Sequence, residues 1–565
     1  MVEEIEAAEV VALDLETTGL DPRRDEARLL TLATERGAWV VDLFATEPLP
    51  LLEALEEKTL LIHNAAFDLA FLRELGYEHE GEVVDTMLLS QLLYAGLKEK
   101  TANGKQAAVR HRLVDVCRRE LGIELDKSHQ EDDWAGELTP EMVEYAARDV
   151  EVLIALDRKL MRKIERMGLS RTLEIEQRAQ RGILWMARSG LPFDGVRWLE
   201  VAEKAREEAA HLKERLLEMA PTHPEGKRWN WNSPQQVKQA LSMLGLPVEN
   251  TKDETLARLD HAFVSLLREY KKKNGIATRY GEKWLYSKDG SERVIDGRIY
   301  PSWKQIGAAT GRMACAEPNL QGIPHGSGHH SCVKAPEGRV LVRADYSQIE
   351  LRLAAKMWDE PVMLRTFWEG GDVHTITARS ITGKEKVTKE ERKLAKAVNF
   401  GLIFGQRAKG LKDYAGDKYE VEMTLKEAKR YRTRFFRTYR GIACWHAENS
   451  AEIDRGEFDT RTLAGRRRRD VRSYTEHLNA PVQGTAADGM KMALALLWER
   501  RGECPDAVPI LAVHDEIVVE CDEEDAEKAE AWLKKAMVVG MDAVVNVTDP
   551  QVPIEVEASV SKTWG

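Results

Sequence analysis

Two aspartates 170 positions apart set the strongest constraint on this chain. Asp345 ends the run Val340-Leu341-Val342-Arg343-Ala344, and Asp515 follows Ile510-Leu511-Ala512-Val513-His514. Such apolar, β-rich runs read as buried strands, so each carboxylate is expected at a strand end or tight turn beside a sheet. Between them lies a helical segment rich in cations, Arg392-Lys393-Leu394-Ala395-Lys396-Ala397-Val398-Asn399-Phe400-Gly401-Leu402-Ile403-Phe404. A single acid at a strand end is ordinarily a solvated turn residue. Two of them around a basic helix suggest a fold that gathers opposite charges in one place, because a buried charge needs a partner. The combination points to two metal ions, a triphosphate and a nucleic-acid strand.

Length and charge define the setting. With 565 residues and 43% hydrophobic content the chain holds several cores, so at least two domains are expected. The six cysteines (Cys117, Cys315, Cys332, Cys444, Cys504, Cys521) lack the paired spacing of a zinc site or disulfide framework, as suits a reducing compartment. The acidic N-terminus has no apolar core, and nowhere do about 18 apolar residues follow one another, so a soluble, cytoplasmic protein without membrane partners is expected. A net charge of −12 argues at first against nucleic acid. Residues 1–165, however, hold 19 Lys+Arg against 36 Asp+Glu, a balance of −17, which leaves the remainder at +5. The larger part is mildly basic, with local runs at Lys271-Lys272-Lys273 and Arg466-Arg467-Arg468-Arg469 whose positions favour a nucleic-acid role over a merely solvated face.

Residues 9–44 alternate apolar runs with Thr18-Gly19 and Asp21-Pro22, the pattern of a hairpin-rich sheet, and helices follow to about 165. The stretch 166–290 is long, charged and helical. Short strands and loops occupy 295–350, and 360–500 is mostly helical with Gly465 and Pro481 as breaks. The absence of a long linker implies a packed interface between the two parts.

Asp14 and Glu16 stand two apart on the first strand, so both face the same way. Asp68 follows in His63-Asn64-Ala65-Ala66-Phe67-Asp68, and Tyr145 and Asp149 share a helix face at i, i+4. Four converging carboxylates repel unless cations neutralise them, and Mg²⁺ prefers oxygen ligands. A pair of such ions about 3.5–4 Å apart generates hydroxide and clamps a leaving oxygen, with Tyr145 placing the water. Asp14-Leu15-Glu16-Thr17-Thr18-Gly19-Leu20, Asn64-x3-Asp68 and Tyr145-x3-Asp149 resemble the three motifs of the DEDD-type 3′–5′ exonucleases, in the subgroup with tyrosine in the last motif. The resemblance implies a ribonuclease-H-like fold and removal of nucleotides from a 3′ end.

Residues 166–565 resemble the family A DNA polymerases, of the type of the large fragment of bacterial DNA polymerase I. Asn232-Ser233-Pro234-Gln235-Gln236 is similar to the family's thumb motif, and Thr310-Gly311-Arg312 with Pro318-Asn319-Leu320-Gln321 to its template-primer segment. Asp345-Tyr346-Ser347-Gln348-Ile349-Glu350 resembles the first catalytic motif and His514-Asp515-Glu516 the last, with Asn479-Ala480-Pro481-Val482-Gln483-Gly484 between. The implied architecture is multidomain, α/β and α+β: an exonuclease-like domain (1–165), then a right-hand polymerase (166–565). Its parts are a helical thumb at about 195–290, an antiparallel-sheet palm at about 291–358 and 440–565, and helical fingers at about 359–439.

The chemistry of the residues agrees. Arg392, Lys396, Phe400 and Phe404 are spaced by four and share one broad helix face. The two cations meet a triphosphate, and the two aromatics stack on the incoming base and the template. In this reading Asp345 and Asp515 hold two Mg²⁺ ions, for which Mn²⁺ is expected to substitute, and phosphoryl transfer relies on positioning and charge neutralisation. By resemblance, Gln348 and His374 lie near the bound nucleotide, and Arg312, Gln483 and His514 contact the primer end or minor groove. Glu516 assists the metal site or is an ordinary turn acid. Glu350 resembles the family's steric gate, which with Phe400 blocks a ribose 2′-hydroxyl. Phe404, Thr475, Ala314-Cys315 and Gly322 depart from the family's common residues near the template-primer.

The expected activity is thus template-directed DNA synthesis with 3′–5′ proofreading, by a monomer acting on primer-template DNA and deoxynucleoside triphosphates. If phage-encoded, it would work in the host cytoplasm. No segment resembles a 5′ nuclease, so removal of RNA primers or flaps is not expected. One rival is an exonuclease whose C-terminal part only grips DNA with a weak palm. It leaves the joint presence of Asp345, Asp515, Arg392 and Lys396 unexplained. A single-subunit RNA polymerase is opposed by Glu350, Phe400 and the attached exonuclease. Replacing Glu350 by alanine is expected to admit ribonucleotides in single-nucleotide incorporation, and unchanged discrimination would remove the gate role. Phe400→Tyr is expected to raise incorporation of dideoxy terminators relative to the parent.

Overall fold

A computed structural model describes residues 1–101, 103–126, 128, 132–324 and 326–565. The chain begins with a five-stranded sheet, ordered β3-β2-β1-β4-β5, from β1 (Val10–Thr17), β2 (Ala27–Thr34), β3 (Gly37–Asp42), β4 (Thr59–Ile62) and β5 (Val83–Asp85). β1, β2 and β3 pair antiparallel, and β4 and β5 extend the sheet parallel to β1. The central strand is buried on both faces, as a covered parallel sheet requires. Val11, Leu13 and Leu15 pack towards α1 (Ala65–Glu74), whereas Ala12 faces α3 (Pro140–Arg166) together with Leu89 and Leu92 of α2 (Thr86–Tyr94). With a side-chain period of two, Asp14 and Glu16 continue the Ala12 face and point towards α3, where Tyr145 and Asp149 lie.

Helix α4 (Ser170–Ser189) joins the two parts. It binds the exonuclease-like part through Arg188 Nη1 to Glu78 Oε1 at 2.5 Å and Gln177 Nε2 to Glu82 Oε1 at 3.2 Å. It packs on the other side against α13 (Tyr474–Glu499), so closely that a Cβ on Gly182 would collide with the carbonyl oxygen of Leu494. The thumb region pairs α5 (Gly195–Met219) with α6 (Ala262–Arg279) around Leu212, Leu216, Trp231, Phe263 and Leu267. A four-stranded antiparallel sheet, ordered β7-β8-β6-β9, is built from β6 (Arg339–Tyr346), β7 (Val508–Val513), β8 (Glu516–Asp522) and β9 (Val556–Ser561). It is backed by α14 (Ala526–Val545), which packs on α13. Before the last strands come α7 (Ile349–Met357), α8 (Val373–Thr382), α9 (Lys389–Ile403), α10 (Ala408–Tyr419), α11 (Leu425–Thr438) and α12 (Arg440–Asp454).

Three sequence readings change. Pro481 does not break the chain's helical course but sits inside α13. An interior proline costs about 3 kcal/mol, and α13 is buried over most of its length, so tertiary packing outweighs that local cost. Helix α9 ends at Ile403, which leaves Phe404 as its C-cap, with Gly405 at φ +88° turning the chain away. The run Arg466–Arg469 is not a phosphate-facing patch. Arg466 is 3% exposed and donates from Nε to Asp488 Oδ1 at 2.7 Å and from its terminal nitrogen to Glu176, while Arg467 and Arg469 pair with Asp459 and Arg468 with Glu476.

Arg466 belongs to a fully buried network across α4 and α13. Lys491 Nζ donates to Glu176 Oε1 at 2.6 Å, Gln305 Nε2 to Glu176 Oε2 at 2.6 Å, and Thr462 Oγ1 to Asp488 Oδ2 at 2.7 Å. Two cations balance two anions, the condition under which such charges survive burial. Burial nevertheless pushes Lys491 down to about 8, with Glu176 acting against the shift. Replacing Lys491 by methionine is expected to cost about 3–5 kcal/mol in chemical denaturation, the usual penalty for stranding a buried charge. A loss under about 1 kcal/mol would show that the network is not structural.

Candidate functional site: two carboxylate pockets

The antiparallel register places Asp345 directly opposite Glu516 of β8 and Glu557 of β9. Asp515 sits in the β7–β8 turn, which His514 closes with φ +57°, and its carbonyl accepts the Tyr346 N–H at 3.2 Å. The two separated aspartates therefore adjoin. They line one cavity of about 350 Å³ with Gln348, His374, Arg392, Lys396, Phe400 and Glu557. Burial, then Asp515, then Glu516 push the Asp345 carboxyl up to about 7, and Asp515 is raised as well, chiefly by burial. Asp345 Oδ1 and Gln348 Oε1 are buried without a protein hydrogen-bond partner. An orphaned buried carboxylate oxygen beside a second carboxylate fits a divalent cation. Among the described residues no three acids or histidines already form a closed ligand cage.

Helices α8 and α9 form the cationic wall. Asp372 caps α8 by accepting from His374 N and Thr375 N, and Arg392 grips it through two bonds, Nε at 2.7 Å and Nη2 at 3.2 Å. Burial opposes ionisation of Asp372, but the bonds from Arg392 and Thr375 prevail and hold it down at about 2. Arg392 is thus tethered beside the cavity by a residue that sequence reasoning passed over. His374 is buried, and desolvation keeps it neutral by drawing its pKa to about 4. Asn399 Nδ2 meets His374 Nδ1 at 2.8 Å, and Thr377 Oγ1 joins Asn399 Oδ1 at 2.8 Å and Tyr439 Oη at 2.7 Å. With the amide so placed, Nδ1 accepts and Nε2 carries the proton, which leaves a donor for a phosphate oxygen. The only signal for Asn399 in the sequence is that it is a polar residue inside an apolar stripe.

The remaining predicted residues flank this cavity. Arg312 Nη2 donates to Glu350 Oε1 at 3.2 Å, and burial raises Glu350 despite that bond. Gln483 lies on α13 beside Gly484, where a Cβ would meet Thr310 O at 3.0 Å, so the helix passes close to the Arg312 segment. Glu516 faces sideways, accepting from Trp564 Nε1 at 2.6 Å and pairing with Arg343 Nε at 3.3 Å. Phe404 caps α9 outside the cavity lining.

The second site is a groove of about 1700 Å³ lined by Asp14, Glu16, Asp68, Tyr145 and Asp149, with Lys288, Arg293 and Tyr300 from the polymerase-like part on its rim. Asp85, another residue missed in the sequence, pins it. Its carboxylate accepts from Asn64 N, Ala65 N and Met87 N, fixing the starts of α1 and α2 together. One turn into α1, Asp68 Oδ1 accepts Leu15 N at 3.0 Å, from the residue that separates Asp14 and Glu16 in sequence. Asp68 is raised well above the carboxylate range, first by burial and then by Asp85 and Glu16. Burial raises Tyr145 too, followed by Asp149, Glu16 and Asp14, and Glu16 also raises Asp68. Arg23 of the β1–β2 loop stacks 3.7 Å over Tyr300 and Arg24 donates to Glu292 O at 2.7 Å, closing the groove across the two parts.

Comparisons with known proteins give the family. Residues 1–165 match the family model described as 3′–5′ exonuclease, and residues 198–565 that described as DNA polymerase family A. The DNA polymerase I of Aquifex aeolicus is 33% identical over all of this chain and 97% of its own length. That of Pseudomonas aeruginosa is 30% identical over the whole chain, which spans 64% of that longer relative. The polymerase domain of Pol1 from M. smegmatis, solved with DNA primer-template and dNTP, superposes with a TM-score of 0.82 at 22% identity, covering 100% of this chain and 97% of its own, which establishes the shared fold. The chain belongs to the family A DNA polymerases, as a DNA polymerase carrying a 3′–5′ exonuclease domain.

Proposed function

We propose that Asp345 and Asp515 form the synthetic centre and Asp14, Glu16, Asp68 and Asp149 the trimming centre, each holding two Mg²⁺ ions. The observation that carries the first half is the junction of Asp345 and Asp515 at one end of a cavity whose wall bears Arg392, Lys396, His374 and Phe400. Domains of both families use divalent metals. When bound, such ions neutralise the carboxylates and the phosphates and make the attacking oxygen more acidic. The protein's own residues do the rest. Lys396 and Arg392 receive the triphosphate, the His374 Nε2–H donates a hydrogen bond to it, and Phe400 supports the base. Glu350, held by Arg312, borders the sugar, while Gln348, Gln483 and His514 bear on the nucleotide and primer end. Phe404, at the helix end, lies towards the template, and Glu516 orients Arg343 and the strand rather than holding metal. At the other site the buried Tyr145 keeps its proton and orients water towards the scissile phosphate.

The substrates in this reading are deoxynucleoside triphosphates and primer-template DNA, the ligands named for the M. smegmatis structure. The exonuclease unit is assigned to 1–165 and the polymerase to 166–565, with thumb about 195–290, palm about 291–358 and 440–565, and fingers about 359–439. The protein is read as a cytoplasmic monomer; among the described residues no helix is long and apolar enough to cross a membrane.

Primer extension from a mismatched 3′ end with Mg²⁺ tests both halves. Asp14→Ala is expected to abolish trimming while extension from matched ends persists, and Asp515→Ala to abolish extension while trimming persists. Extension by Asp515→Ala at the parent rate would overturn the synthetic assignment. Asn399→Leu is expected to raise the nucleotide KM about tenfold with a smaller effect on kcat, matching the roughly 1–1.5 kcal/mol of one hydrogen bond. An unchanged KM would mean that the amide does not set the histidine's donor.

A further inference from the structure

The most basic helix of the fingers has no role in the chemistry above. Helix α11 carries Lys426, Lys429, Arg430, Arg432, Arg434 and Arg437, and Arg440 opens α12 directly after it. Its only acid, Glu427, is committed to a capping box with Thr424. Ala428, Tyr431 and Phe435 bury one face. Lys426, Arg430, Thr433 and Arg437, spaced 4, 3 and 4, fall on the opposite face and are exposed. That row runs for roughly 16 Å along the helix at about 1.5 Å per residue. Arg434 is used internally, donating to Ile381 O at 2.6 Å, and Arg430 lies 5.2 Å over the ring of its neighbour Tyr431. Among the described residues none of the other cations forms an ion pair; Arg430 acts on Glu427 only at longer range. The contrast with Arg466–Arg469, where every arginine is matched to an acid, is informative in a chain of net charge −12.

The row also leads somewhere. Arg432 stacks 5.0 Å over Phe436, whose ring packs on His446, the 2.8 Å partner of the Tyr474 hydroxyl, and the exposed Arg407 stands two residues after Gly405. Tyr474 lies against Gly405, where a Cβ would come within 2.9 Å of its ring, next to Phe404 at the end of the cationic helix. Unpaired cations followed by aromatic rings are the elements that hold single-stranded nucleic acid, phosphates on the charges and bases on the rings. We infer that the outer face of α11, continued through Arg432 and Arg407 to Tyr474, is a track for the uncopied single strand of the template on its way to the nucleotide pocket. The inference rests on the reading of the Asp345 cavity as that pocket. The strand not yet copied is the occupant because the track ends at Phe404 on the fingers side, whereas the duplex contacts proposed above, Arg312, Gln483 and His514, lie on the palm.

The test is the triple variant Lys426→Gln, Arg430→Gln, Arg437→Gln, in the full chain, with primer-templates bearing a short or a long 5′ overhang. Equilibrium binding is followed against salt concentration. For the long overhang the slope of log K against log salt is expected to become shallower by about 0.7 for each phosphate no longer neutralised, about 2 in total. Affinity for the short overhang and single-nucleotide extension on it are expected to stay at the parent level. Equal weakening on both substrates would assign the cations to duplex product, and no weakening on either would leave them a solvated face; both results overturn the inference. If the parent protein itself fails to extend the short-overhang primer, the fault lies in the reading of the pocket and not in the track.

Discussion

Strand β6 is the element on which the proposed synthetic site depends. It is hydrogen-bonded on both sides, to β8 and to β9, so its register cannot slip by one residue without turning Val340, Val342 and Ala344 out of the core. That register sets Asp345 between Glu516 and Glu557 and brings it against the Asp515 turn. Packing energy from the sheet thereby holds carboxylates closer than their charges favour. The raised Asp345 and Asp515 are the electrostatic signature of that arrangement, and the cations of α9 are its counterweight.

The acidic groove of the N-terminal part solves the same problem with different elements. Here no strand register gathers the acids. A buried carboxylate, Asp85, takes the free N–H groups at two helix starts, and Asp68 reaches back from α1 to the backbone of β1. The burial of β1 on both faces then points Asp14 and Glu16 at α3. Both sites therefore lie where a largely apolar framework holds several acids close together.

Between the two sites the molecule is joined by polar, satisfied contacts. The Glu176, Arg466, Asp488 and Lys491 network locks α4 to α13, and α4 in turn carries Arg188 and Gln177, which bind Glu78 and Glu82. Such pairing ties the element that borders the acidic groove to the long helix behind the four-stranded sheet through bonds of defined geometry. Arginines read in sequence as a patch for phosphate serve here as struts.

The strands around Asp14, Asp345 and Asp515, the hairpin-rich start, the helical character of 360–500 and the clustering of cations on one face of α9 were legible in the sequence, because each is a local pattern of period two or of about 3.6. The motif spacings carried the family resemblance for the same reason. Other features required the folded chain. Pro481 remains helical only because α13 is surrounded. Phe404 leaves the helix because Gly405 turns it. Arg466 is buried because acids from distant segments meet it, and Asp372, Asn399 and Asp85 acquire their importance from partners 20 or more positions away. Sequence by itself determined which residues carry charge and on which face of their own element they lie. The tertiary structure decided which of those charges are matched inside the protein and which are left to face a ligand, since neutralisation depends on distances between elements that no local pattern encodes.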